Sequence, residues 1–244
     1  TILLGGILGQ TGIGLLGWAQ KWAYAPLRFF MDQVIKVTFP AFSRLQDNKQ
    51  ELSNAVSRSI LFICILAFPS LMMLVLIAPS LTEIIPKYGK WNPALIALML
   101  ISITSALASV TTPLTNALNA IGKISITFRL MIMWTVLTWI AVPPLSIYYG
   151  LNGAALGFTL VGLSSFVAIF ITSKYVKIDY LQSVGKPLLA ALLMGLSLQF
   201  VRGLLAISLM QIILMIVVGF TIYTVIIILL EPKLINMTKS IFKK

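Results

Sequence analysis

The chain has 244 residues, 59% of them hydrophobic and 10% charged, with a mean hydropathy of +1.01. A water-soluble domain carries about 25% charged residues, so this composition points into a membrane. The net charge of +12 would suit nucleic acid, but the cations sit in breaks between apolar runs rather than on a soluble patch, which excludes that partner.

There is no histidine and one cysteine, Cys64, which lies in an apolar run. Histidine acid–base chemistry, a disulfide framework and a thiolate or imidazole metal centre are therefore excluded. No HExxH, no phosphate-loop GxxxxGK[ST] and no carboxylate cluster is present, and the opening GGILGQTG lacks the lysine and the strand–helix context of a phosphate loop. No catalytic residue, metal or cofactor is expected.

The fold class expected is all-α: a polytopic transmembrane helix bundle. In chain order, TILLGGILG reads as the last turns of a helix that began upstream, so the chain is expected to be cut from a longer protein. GQTGIG (9–14) reads as a glycine-rich turn, followed by a charged helix over roughly 15–41, kinked at Pro26 and stopped or tilted at Pro40. Residues 43–58 form the most polar stretch, aqueous or interfacial. A span over 59–79 contains Pro69 and ends at Pro79. The connector 81–93 carries Tyr88 and Trp91 at interface depth.

Further spans are expected at 94–118 and 124–147, the latter closed by Pro143–Pro144, with a turn at 148–153. Another span, 153–172, is rich in Gly and Ser, as close helix packing in lipid prefers. A polar break at 173–186 precedes a short span near 187–202 and a last span near 205–229. The basic tail EPKLINMTKSIFKK reads as lying on the membrane surface. The whole chain, 1–244, thus holds the end of one helix and about seven full spans.

Two helices carry coherent polar faces. On the charged helix, Lys21, Arg28, Asp32 and Lys36 fall within an arc of about 80° at 100° per residue. A charged stripe in a membrane helix must face protein or water, which makes it a functional-site candidate. Asp32 is four residues from both Arg28 and Lys36, so one reading is a pair of structural ion bridges. The other is a cationic face on a water-filled cavity, suited to an anionic substrate, with guanidinium matching phosphate oxygens and Trp18 and Phe29 bordering it. On the span 94–118, Ser105, Ser109, Thr112, Asn116 and Asn119 share a second arc of about 80°, with Pro113 within it. That face is either a packing seam, where hydroxyls bond to the preceding turn, or a lumen face.

Lysine and arginine set the orientation. With a cytoplasmic tail, that side collects Arg44, Lys49, Arg58, Lys123, Arg129, Lys174, Lys177, Lys186, Lys233, Lys239, Lys243 and Lys244, against Lys87, Lys90 and Arg202 opposite. The asymmetry argues for a cytoplasmic C-terminus.

The stretch ILGQTGIGLLGWAQKWAYAPLRFFMDQVIKVTFPAFSRLQDN resembles the start of the C-terminal lobe of prokaryotic polysaccharide-export flippases. These belong to the superfamily that also holds multidrug-and-toxin exporters and the lipid II flippase. Carrying the resemblance are LGQTGIGLLGWA, Pro26, the exit VTFPAFSRLQ with Phe39, Pro40, Ser43 and Arg44, the NAIGK turn at Asn119–Lys123 and GLNGAALG at Gly150–Gly157. It implies a two-lobe transporter of twelve to fourteen helices, of which this chain would be the C-terminal lobe, partnered by a missing N-terminal lobe. The implied activity is flipping undecaprenyl-diphosphate-linked oligosaccharide across the bacterial inner membrane for O-antigen, capsule or exopolysaccharide. The implied surroundings are membrane lipids and the polysaccharide polymerase machinery. Lys21, Arg28, Asp32, Lys36, Ser109, Asn116 and Asn119 are the expected substrate-binding residues, with Asp32 the candidate for ion or proton coupling.

A drug or toxin exporter of the same superfamily would favour an acidic cavity for organic cations, which the basic stripe opposes. A membrane polymerase or ligase would need a large outer loop, and the longest here is about a dozen residues. A transporter rather than an enzyme is expected.

Overall fold

A computed structural model of the chain describes residues 2–231. The basic tail, with Lys233, Lys239, Lys243 and Lys244, lies outside the described residues. The architecture is all-helical: α1 (Ile2–Arg44), α2 (Lys49–Ile84), α3 (Leu95–Ala120), α4 (Ile124–Leu163), α5 (Ser165–Ser173), α6 (Lys186–Leu204) and α7 (Leu209–Leu230). A 3₁₀ segment, Tyr88–Ala94, leads into α3, and a π-helical turn, Leu181–Gly185, leads into α6. Among the described residues, five helical runs are long and apolar enough to cross a membrane: Lys49–Ile84, Tyr88–Ala120, Ile124–Ser173, Leu181–Leu204 and Leu209–Leu230. The chain is a multi-pass membrane protein.

Several expected boundaries move, for reasons rooted in backbone chemistry. The glycine-rich turn at 9–14 shrinks to one residue: Gly9 takes φ 68°, ψ 177°, and the helix resumes at once. Likewise the turn expected at 148–153 reduces to Gly150, at φ 58°, ψ −136°, inside α4. Both are positive-φ conformations that glycine adopts without a Cβ clash. Pro40 does not stop α1, Pro79 does not end α2, and Pro143–Pro144 do not close α4. Proline deletes one backbone donor and disturbs one turn, and a membrane helix tolerates this where neighbours pair the freed carbonyl.

Pro69 shows how. A helical residue 69 would donate its N–H to the carbonyl of Ile65; instead the Tyr223 hydroxyl of α7 donates to that oxygen at 2.8 Å. At 36 residues, α2 is about 54 Å long, well beyond a hydrocarbon core of about 30 Å. Its first turns are therefore the polar stretch expected in water, and they start cleanly because Asn48 Oδ1 accepts the Glu51 N–H at 3.2 Å.

Helix α2 is the shared wall of the molecule. On one side α1, α3 and α4 pack around Leu16, Ala19, Ala23, Leu98, Val142 and Ala154. On the other, α6 and α7 pack on each other and on α2 through Val56, Ile60, Met194, Leu198 and Met215. Small residues permit these approaches. A Cβ on Gly195 would lie 2.8 Å from Met72 Sδ, and one on Gly157 would lie 2.8 Å from Val142 Cα. The Gly- and Ser-rich run is thus a close-packing surface, as helix contacts in lipid favour.

One end of the bundle gathers the 45–48 loop, the 121–123 turn and the 174–180 break. There the Lys177 N–H donates to Ser53 Oγ at 3.1 Å, Lys123 Nζ sits 5.7 Å from the Tyr175 ring centroid, and Lys186 pairs with Glu231. At the opposite end the buried Gln211 amide donates to the carbonyls of Arg202 and Leu205, both at 3.2 Å, closing the tight link between α6 and α7.

Candidate functional site

The buried stripe of α1 is Leu16, Ala19, Ala23, Leu27 and Met31, a spacing of three and four that keeps one face against α2, α3 and α4. Lys21, Arg28, Asp32 and Lys36 lie outside that stripe, and all four are exposed. Phe29 and Val37 beside them are 72% and 73% exposed. From Lys21 to Lys36 the stripe runs about 22 Å along the helix axis, most of the depth of a hydrocarbon core.

The ion bridges of the first reading do not form. Among the described residues the one ion pair is Lys186–Glu231, so Asp32 is within 4 Å of neither Arg28 nor Lys36. The reason is geometric: on an exposed face, long side chains gain little from holding one paired geometry against water. Three cations and one carboxylate are therefore presented separately.

Trp18 does not join this stripe. It stacks on Trp91 of the 3₁₀ segment, with ring centroids 5.3 Å apart and planes 10° apart, and Lys90 Nζ lies 5.0 Å from the Trp91 centroid.

The polar face of α3 is placed otherwise. Ser105 and Ser109 are fully buried. Ser109 Oγ donates to the Ala106 carbonyl at 2.6 Å and lies 3.7 Å from Cys64 Sγ on α2. This is the helix-packing seam, so Ser109 does not open onto a lumen: its hydroxyl finds its acceptor one turn back, which lets it pack against a neighbour. Asn116 and Asn119 are half-buried. Asn116 Nδ2 and Asn119 Oδ1 are themselves buried, with no hydrogen-bond partner among the described residues. The structure thus groups Lys21, Arg28, Asp32 and Lys36 on one exposed face and sets Ser109 apart, inside the α2–α3 contact.

Sequence reasoning passed over the polar cavity at the basic end of the bundle, lined in part by Arg58, Lys177 and Glu231. These residues come from segments far apart in the chain, and their only advance signal was a shared placement among the basic breaks. No group of three or more His, Cys, Asp or Glu able to hold a metal occurs among the described residues.

The polysaccharide biosynthesis protein family matches residues 1–96, a region that contains α1 and its charged face. The lipopolysaccharide biosynthesis protein WzxC of Escherichia coli K12 is 28% identical over 66% of this chain and 32% of its own length. A membrane protein of the cps region of Klebsiella pneumoniae is 28% identical over 100% of this chain and 51% of its own. The chain therefore spans about a third to a half of the curated relatives it matches. Among solved structures, the lipid II flippase MurJ in an inward closed conformation superposes with a TM-score of 0.77 at 14% identity, covering 92% of this chain and 48% of that one. That likeness shows the fold: the chain is a multi-pass helical membrane protein that shares the fold of MurJ, and its first 96 residues are similar to the polysaccharide biosynthesis protein family.

Proposed function

We propose that the chain is the C-terminal lobe of a transporter that flips a lipid-linked oligosaccharide, with undecaprenyl diphosphate as the carrier, across the bacterial inner membrane. The observation that carries this reading is the exposed stripe Lys21–Arg28–Asp32–Lys36, unpaired among the described residues, on a helix packed against the membrane-crossing helices α2, α3 and α4. Three cations lying separately over about 22 Å suit a diphosphate or acidic sugar that must be handed from one side to the other. Arg28, at mid-depth, supplies the planar fork that matches phosphate oxygens, and Asp32 stands where a coupling proton or ion would be read. An N-terminal lobe completes the cavity, and the basic end of the bundle faces the cytoplasm.

Arg28→Ala tests this reading. Since Arg28 makes no ion pair among the described residues, its removal strands no buried charge, so membrane abundance should stay normal while export of finished polysaccharide is lost. Arg28→Lys should rescue in part, keeping charge without the bidentate geometry. Normal export with Arg28→Ala would remove the stripe from the substrate path. Sidedness is tested separately by cysteines at Asn48 and Asn92 in a Cys64-free chain: an impermeant thiol reagent should label only position 92 in intact cells.

A further inference from the structure

Two cavities meet at the basic end of the molecule. A groove of about 430 Å³ lies between α1 and α2, walled largely by Val34, Val37, Leu61, Phe62 and Ile65. A second cavity, about 540 Å³ and polar, lies between the first turns of α2, the 174–180 break and the end of α7. Arg58 and Leu61 line both. Arg58 is also the last charged residue before the apolar run 59–79, which sets it at the depth where a bilayer changes from headgroups to hydrocarbon.

The polar cavity is lined by two acids and two cations, and with Lys186 paired to Glu231 the group carries one net positive charge. Its two acids are engaged: Glu231 pairs with Lys186, and Asp179 Oδ1 accepts the Gln182 N–H at 3.1 Å. Its two cations, Arg58 and Lys177, are exposed and have no acidic partner among the described residues. The Lys177 backbone bond to Ser53 holds the two segments at a fixed separation. A cationic, polar pocket thus opens through Arg58 onto an apolar groove that runs into the membrane.

From this juxtaposition we infer that the chain carries a binding site for an anionic phospholipid of the adjacent leaflet. The headgroup phosphate lies between Arg58 and Lys177, and one acyl chain lies along the α1–α2 groove past Val37 and Phe62. Charge complementarity selects the phosphate, and the groove selects a lipid over a free anion. The site does not depend on the transport reading, because none of its residues belongs to the stripe on α1.

The test uses the full chain purified in detergent, with ligand binding followed by native mass spectrometry. Phosphatidylglycerol should bind about tenfold tighter than phosphatidylcholine of the same acyl chains, as befits charge-assisted phosphate contacts. Glycerol phosphate at the same concentration should fail to displace it. The double variant R58Q/K177Q should lose the preference while still binding phosphatidylcholine. Val37→Trp, at a position 73% exposed, should fill the groove and weaken phosphatidylglycerol with every charge in place, so the idea stays testable even if the double variant folds poorly. Equal binding of the two lipids, displacement by glycerol phosphate, or unchanged binding in Val37→Trp would overturn it.

Discussion

Helices α1 and α3 each carry a polar face of about 80°, yet the fold treats them in opposite ways. The α1 face holds formal charges and is left exposed along its length, while Ser105 and Ser109 of the α3 face are fully buried, Ser109 against Cys64 of α2. The difference lies in what each side chain can do for itself. A serine or threonine in a helix donates to the carbonyl three or four residues back, as Ser102, Ser109 and Thr111 do, and can then be buried as if it were apolar. A lysine, arginine or aspartate cannot be neutralised by the backbone of the preceding turn and must be given water, a ligand or another charge. Polarity arranged on one helical face is therefore weak evidence for a cavity when it consists of hydroxyls, and strong evidence when it consists of ions.

The contrast can be broken most sharply by moving a charge between the faces. Ser109→Asp places a carboxylate in the α2–α3 seam and should cost about 3 kcal/mol or more, seen as loss of the protein from the membrane fraction. Ala25→Asp, on the exposed side of α1 between Lys21 and Arg28, should leave abundance unchanged. Equal loss in both would mean that the α1 face is buried against something and is not a cavity face.

A smaller effect separates hydroxyls with remote duties from those with local ones. Tyr223→Phe removes the donor to the Ile65 carbonyl that Pro69 leaves open, and should lower stability by about 1–2 kcal/mol in a thermal melt. Thr111→Val removes a hydroxyl bonded only to the preceding turn and should change the melt by less than about 0.5 kcal/mol. The smallest effect concerns Arg28 and Asp32. A double-mutant cycle to alanine should give a coupling in stability below about 0.5 kcal/mol, because the two do not touch. A coupling of several kcal/mol would restore the structural ion bridge.

The all-helical membrane fold was legible because apolar length is a direct physical requirement of the bilayer, and the stripe on α1 was legible because charges in such a run are costly. Helix ends were less so. Pro40, Pro79 and Pro144 read as stops under rules drawn from chains in water, where no neighbouring helix is obliged to pair the freed carbonyl. The repair at Pro69 comes from Tyr223, 158 positions from Ile65, so no local pattern could announce it. Ser109 was open to two readings because helical spacing reveals a shared face without saying what covers it. Arg58 and Lys177 went unremarked as a pair for the same reason: only the fold brings their segments to one cavity.

The single-residue break at Gly9 has a mechanical consequence. It joins two helical segments with no loop between them, so the chain has no slack there, and two backbone angles set the direction of everything from Gln10 to Arg44. Taken as a straight rod, that segment is a lever about 50 Å long. A swing of 5° about Gly9 carries Arg28 about 2.5 Å sideways and Arg44 about 4.5 Å. Motion of that size is enough to make or break a hydrogen bond to a ligand, and it grows steadily along the stripe, so Lys36 travels farther than Lys21. The lever is restrained along its length: Ala19 and Ala23 pack near the fulcrum, Leu27 and Met31 pack with Ile63 and Ala67 at mid-length, and Phe42 is buried near the far end, where packing has the most leverage.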